Sequence, residues 1–165
     1  AVRKNSPEKA DEMLKNAMRL TKNALSDVRE SVFAFNNPIH ESILLGEIAK
    51  DIIRSQGSGA FEIKSKIDPS LETSNTKVKW AVYRILQEAF NNIKRHANAT
   101  FVICNLYKSG NDINIEIQND GVESPVYQEG FGLLGIRERI AALNGEAEIT
   151  QTENKFMLKV RIPNE

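Results

Sequence analysis

No disulfide can hold this chain together internally. It has one cysteine, Cys104, in 165 residues, and that usage fits a reducing compartment. A surplus of one charge is also missing: 22 Lys+Arg balance 22 Asp+Glu. A general nucleic-acid binder carries a basic excess, so that class is disfavoured. No apolar run approaches the roughly 20 residues of a membrane span. No signal peptide is visible, nor any internal repeat or low-complexity segment. What remains is an ordinary globular composition, long enough for one domain with a real core or a small domain plus an appendage. The opening "AVRKNSPEKA" is already helical in composition and reads as a piece of something larger.

Residues 1–36 read as one long helix. Ser6 is placed to be its N-cap and Pro7 its first helical residue. Leu14, Met18, Leu25, Val28 and Val32 recur at three-to-four spacing, with Thr21 filling a gap. So narrow a stripe suits a bundle or coiled-coil seam, which needs a partner helix. "NNPIHES", with Pro38, breaks the pattern and marks a domain boundary. From 41 to 165 the pattern is helix (Glu41–Arg54), strand in "AFEIKSKID" and a long helix (Asn75–Ala97). A hairpin (about 100–107 and 112–118), a loop, and a helix in "LLGIRERIAALNG" stopped by Gly145 follow. A last hairpin turns at "TENK". This order predicts an α+β domain, a mixed sheet covered by helices in a two-layer sandwich.

The long helix raises a question. Its body is apolar (Ala81, Val82, Ile85, Leu86, Ala89, Phe90, Ile93, Ala97), yet Glu88, Asn92 and His96 recur one turn apart on one face. Magnesium binds through one or two protein oxygens plus substrate phosphates. Asn92 could be such a ligand, Glu88 could orient a metal-bound water, and Arg95 and His96 could meet phosphate oxygens. A solvated polar face is the plain alternative. Gly130, Gly132 and Gly135 precede or open the next helix, where backbone N–H groups attract phosphate. No buried strand precedes them, so the dinucleotide-binding version of G-x-G-x-x-G is rejected; ordinary loop glycines are the alternative. "IEIQNDGVE" ends a strand in Asn119, Asp120 and Gly121, which is either a base-selecting edge or turn chemistry.

In this order, Glu88–Asn92–Arg95–His96, then Asn119–Asp120–Gly121, then Gly130–Gly132–Gly135 resemble the N, G1 and G2 boxes of the GHKL ATPase superfamily. "QEAFNNIKRHANA" and "GFGLLGIRERIAALNGEAEI" are similar to bacterial two-component sensor histidine kinases, in the nitrate-sensor and DesK-like subgroup. The resemblance covers Glu41 to the C-terminus and, more loosely, the first helix. It implies an ATP-binding catalytic domain that uses ATP and Mg2+. Asn92 would bind the magnesium, and Glu88 would be the catalytic residue, orienting water or the reacting phosphate. Arg95 and His96 would contact phosphates, and Gly130, Gly132, Leu133 and Gly135 would form the lid hinge and phosphate cradle. Asn119, with Asp120 and Gly121, would read the adenine and keep its pocket open.

The chain departs from the family pattern in two places. Asn119 stands where an aspartate is usual, and Glu123 replaces a glycine; the first predicts weaker adenine binding than an aspartate would give. No histidine matches the family's phosphate acceptor, since His40 lies in the linker and His96 in the N box. The expected reaction is therefore transfer of the γ-phosphoryl of ATP to a histidine outside these residues. The resemblance further implies a response regulator with a LuxR-type DNA-binding domain as partner. It also implies a homodimer through the N-terminal bundle, in the cytoplasmic portion of a membrane-anchored sensor, with no nucleic acid bound. A nucleotide-sensing module without kinase chemistry, or a helical interaction domain, are the other readings of the residues.

Overall fold

The computed structural model describes residues 43–56, 61–73, 75–121 and 131–164, with scattered helical positions between 10 and 28. Contacts divide the chain into two units, Ala1–Ile39 and His40–Glu165. In the first, Met13, Leu14, Met18, Leu20, Leu25 and Val28 are all exposed, so the stripe foreseen there is helical and uncovered at its described positions. Ser6, Pro7, Val32 and the Pro38 linker lie outside the described residues.

The second unit runs α1 (Leu45–Gln56), β1 (Glu62–Ile67), α2 (Thr76–His96), β2 (Phe101–Ser109), β3 (Asp112–Asp120), α3 (Phe131–Ala141), β4 (Glu146–Gln151) and β5 (Lys155–Pro163). The strands form one mixed sheet in the order β1-β2-β3-β5-β4. β1 and β2 are parallel, joined through α2, and the other pairs are antiparallel. The α+β class and the helix-covered mixed sheet expected from the sequence are therefore what the chain adopts.

Alternation sets the core. Val102, Cys104 and Leu106 on β2 are buried, as are Ile113, Ile115 and Ile117 on β3 and Leu158, Val160 and Ile162 on β5. Register places them side by side: Cys104 opposite Ile117, and Ile117 opposite Leu158. Strand side chains alternate between faces, so one face of the sheet is a continuous apolar surface. α2 supplies the facing stripe with Val78, Ala81, Val82, Ile85, Leu86, Ala89, Phe90 and Ile93, all buried. Burial pushes the Cys104 thiol up to about 12, which makes it an inert core residue.

The helix ends have local causes. Asn75 caps α2, its Oδ1 accepting from the N–H groups of Lys77 (3.0 Å) and Val78 (3.3 Å). Lys94, Arg95 and His96 fill the last turn, where cations complement the helix dipole. α1 starts at Leu45 rather than Glu41, because the Leu44 carbonyl takes the first helical bonds, from Glu47 and Ile48. α3 stops at Ala141 rather than continuing to Gly145. Asn144 adopts the left-handed conformation (φ 55°), its N–H returns to Ala141 O, and the Gly145 N–H returns to Ile140 O at 2.9 Å. That pairing is a Schellman stop in which the asparagine, not the glycine, takes the strained position.

Candidate functional site

The Glu88–Asn92 stripe lies beside the buried face of α2. Both side chains are half-buried, while Arg95 and His96 are exposed in the last turn. The first turn of α3 reaches this stripe at Gly132. A Cβ there would run into the Glu88 carboxylate and come within 3.3 Å of Asn92 Nδ2. A side chain at Gly132 would have to displace the end of the Glu88 side chain from the place it holds against α3. Two motifs far apart in sequence meet here.

Asn92 Nδ2 is buried and has no hydrogen-bond partner. A buried donor left unpaired costs roughly 1–3 kcal/mol, and native structures hold few such groups. Its neighbourhood holds the Gly132 backbone and the Glu88 carboxylate. Among the described residues no cluster of three or more His, Cys, Asp or Glu could hold a metal. A cation here would rest on an amide oxygen and on its ligand's own oxygens, as magnesium does with phosphates.

Leu133 is buried with Ile136 and Ile140, anchoring α3 to the core. Gly132 opens α3 as its second residue. Gly135 is one turn deeper, and its carbonyl accepts from Arg139 Nη1 at 2.9 Å. Sequence reading missed Arg139; its place four residues after Gly135 was the available signal. Gly130 lies outside the described residues.

The strand side is built differently. Asn119 is 2% exposed, on the core face of β3 in register with Val102 and Phe156. Its neighbour Asp120 belongs to the opposite face. The Asp120 carboxylate accepts from Thr100 N (2.8 Å), Thr100 Oγ1 (2.6 Å) and Phe101 N (2.9 Å). Those bonds, the Thr100 hydroxyl first, hold its pKa below the usual carboxylate value. Asp120 therefore fastens the start of β2. Gly121 has φ +72°, and a Cβ there would strike the backbone of Asn98 and Ala99. The Asn98 N–H donates to the Gly121 carbonyl at 2.8 Å. The room left by Gly121 is filled by the segment that leaves α2, so the last turn of α2 and the end of β3 come to one end of the domain. Asn98 and Thr100, which make these ties, were not singled out in the sequence. Polar side chains between a helix and a strand were the only hint.

No family model matches the chain. The histidine-protein kinase/phosphatase UhpB of Salmonella typhimurium is 29% identical over 116 residues, 68% of this chain and 23% of its own length. The sensor histidine kinase DesK of Bacillus subtilis is 26% identical over 161 residues, 96% of this chain and 42% of its own. The chain thus spans less than half of each of these relatives. Among solved structures, the histidine kinase domain of the blue-light-activated kinase of Erythrobacter litoralis superposes with a TM-score of 0.61. It is 20% identical, over 76% of this chain and 63% of that one. At that identity the likeness speaks for the fold.

Proposed function

We propose that this chain, similar to sensor histidine kinases in sequence and to a histidine kinase domain in fold, is a piece carrying their catalytic ATPase-type region, that it binds MgATP around the last turns of α2 and that it donates the γ-phosphoryl to a histidine. The observation that carries this reading is the contact of Gly132 with Glu88 and Asn92, with the Asn92 NH2 buried and unpaired. An enclosed donor beside a helix start with no side chain at Gly132 fits a phosphate chain held against both motifs.

The residues divide the work. Asn92 Oδ1 would ligate magnesium, and its NH2 would find phosphate oxygen as acceptor. Glu88 would hold the proton of an ordered water. Arg95 and His96, exposed at the end of α2, would meet phosphate charge together with the open N–H groups at the start of α3. Asn119 would accept from the base. Bound magnesium would neutralise the charge that grows on the phosphates during transfer. By sequence position His40 falls in the linker motif and His96 in the N box, so the recipient histidine would lie outside these residues and relay to a response regulator. A LuxR-type DNA-binding regulator, a dimer through the N-terminal helix and attachment to a membrane sensor are the finer parts of the proposal. Among the described residues no helix is long and apolar enough to cross a membrane.

Calorimetric titration of the chain with MgATP, and with ATP plus a chelator, tests the reading. Asn92→Ala removes a half-buried amide whose NH2 is unpaired, so stability should change by no more than roughly 0.5 kcal/mol. MgATP affinity should fall roughly tenfold, as for a lost charge-assisted contact, while affinity in chelator should hardly move. Equal losses in both conditions, or no binding by the unaltered chain, would overturn the assignment. Incubated alone with γ-labelled ATP, the chain should take up no stable label; label at His40 would contradict the missing acceptor.

A further inference from the structure

Arg137 carries an inference that rests on the reading above, in which the first turn of α3 meets the phosphate site at Gly132. Leu133, Ile136 and Ile140 fasten that helix to the core. Apolar contacts resist separation but have no preferred direction. Hydrogen bonds fix distance and angle together. Arg137, one turn after Leu133, supplies such a bond: its Nη1 donates to the Ala147 carbonyl of β4 at 3.0 Å. β4 is an edge strand beside β5, and Ala147 is in register with the buried Val160. Arg139, by contrast, donates Nη1 to a carbonyl of its own helix, that of Gly135, at 2.9 Å. The Arg137 bond crosses from helix to sheet, so it ties the rotation of α3 to the sheet beneath it.

We infer that Arg137 is a positioning residue for phosphoryl transfer: its strap to β4 sets how Gly132 meets Glu88 and Asn92. Gly132 lies five residues before Arg137, roughly 7–8 Å along a helix. It is the Gly132 backbone that stands against the Glu88 carboxylate and Asn92 Nδ2. A turn of α3 about its axis shifts that contact while the apolar residues stay in the core. Arg137 acts through α3, and its effect falls on placement. Placement matters more to transfer than to binding, because a misplacement of about 1 Å can cost on the order of 100-fold in rate. One donor to one carbonyl is within reach of a lysine ammonium, whereas alanine removes the bond.

The test compares the whole chain with Arg137→Ala and Arg137→Lys by MgATP titration, phosphoryl transfer to a supplied bundle helix, and amide hydrogen exchange. Arg137→Ala should speed exchange in α3 and leave the sheet amides protected. MgATP affinity should fall several-fold and the transfer rate roughly tenfold, and Arg137→Lys should recover most of both. Added to Asn92→Ala, Arg137→Ala should weaken MgATP binding by less than it does in the unaltered chain, because both changes act on one contact. Unchanged transfer by Arg137→Ala would overturn the inference. Equal losses in the two backgrounds, or exchange speeded throughout the domain, would do so as well, since either assigns Arg137 to stability alone. If Arg137→Ala does not fold, a transfer rate of Arg137→Lys as low as that of an unstrapped helix decides against the single-bond strap. Absence of nucleotide binding by the unaltered chain would sink the proposed function and this inference with it, whereas binding and transfer that Arg137→Ala leaves intact would sink the inference alone.

Discussion

At the end of β3, Asp120 and Gly121 are tied into the fold, whereas on α2 Glu88 and Asn92 face the start of α3 at Gly132, which has no side chain. Asp120 accepts three hydrogen bonds and Gly121 accommodates the Asn98 backbone. Asn92 keeps a buried donor unpaired. The contrast separates two reasons for a polar or glycine motif. One kind builds the frame and is satisfied without a ligand. The other is left incomplete, and a buried group without a partner calls for an explanation, for which we propose a ligand.

Substitutions can break this contrast, beginning with the frame. Gly121→Ala should be the most damaging, because φ +72° is strained for alanine and the methyl group would meet backbone, which cannot swing aside. A loss of roughly 2–4 kcal/mol is expected, read as a shift of the urea midpoint; an unchanged midpoint would mean that the Asn98–Gly121 contact is not held in solution.

Asp120→Ala should cost less, about 1 kcal/mol, since its bonds are charge-assisted but near the surface. It also has a pH signature. The folded pKa of Asp120 is depressed, so its stabilisation is fully present above the unfolded value of about 4 and fades as pH falls through the folded value. Denaturation curves of wild type and Asp120→Ala should therefore converge in acid. A gap that stays constant down to about pH 2 would assign the loss to something other than the carboxylate.

Gly132→Ala should do least to the fold and most to the site. Alanine raises helix propensity by about 1 kcal/mol, and the obstacle it meets is chiefly the movable end of Glu88. Stability should stay within about 1 kcal/mol of wild type, while MgATP affinity and phosphoryl transfer to a supplied bundle helix fall. A variant with normal binding and transfer would show that the Gly132–Glu88 contact is ordinary packing, and the contrast would lose its helix side.

Much of this was legible in the linear sequence, because it depends on spacing alone. The strands of both hairpins were readable around their turns, and the spacing of four put Glu88 and Asn92 on one side of α2. Boundaries were less legible. The start of α1 depends on which carbonyl takes the first bond, and the end of α3 on whether Asn144 or Gly145 turns left-handed. Spacing does not register either.

The sequence by itself determined which residues share a face, since a repeat of 3.6 or 2 is a property of the local chain. Only the tertiary structure decided which polar atoms are satisfied. That Asp120 is tied to Thr100 and Phe101, and that the NH2 of Asn92 lies unpaired beside Gly132, depend on segments brought together from elsewhere. A hydrogen-bond partner reached through space, and the exclusion of water that makes its absence costly, exist only once the chain has closed on itself.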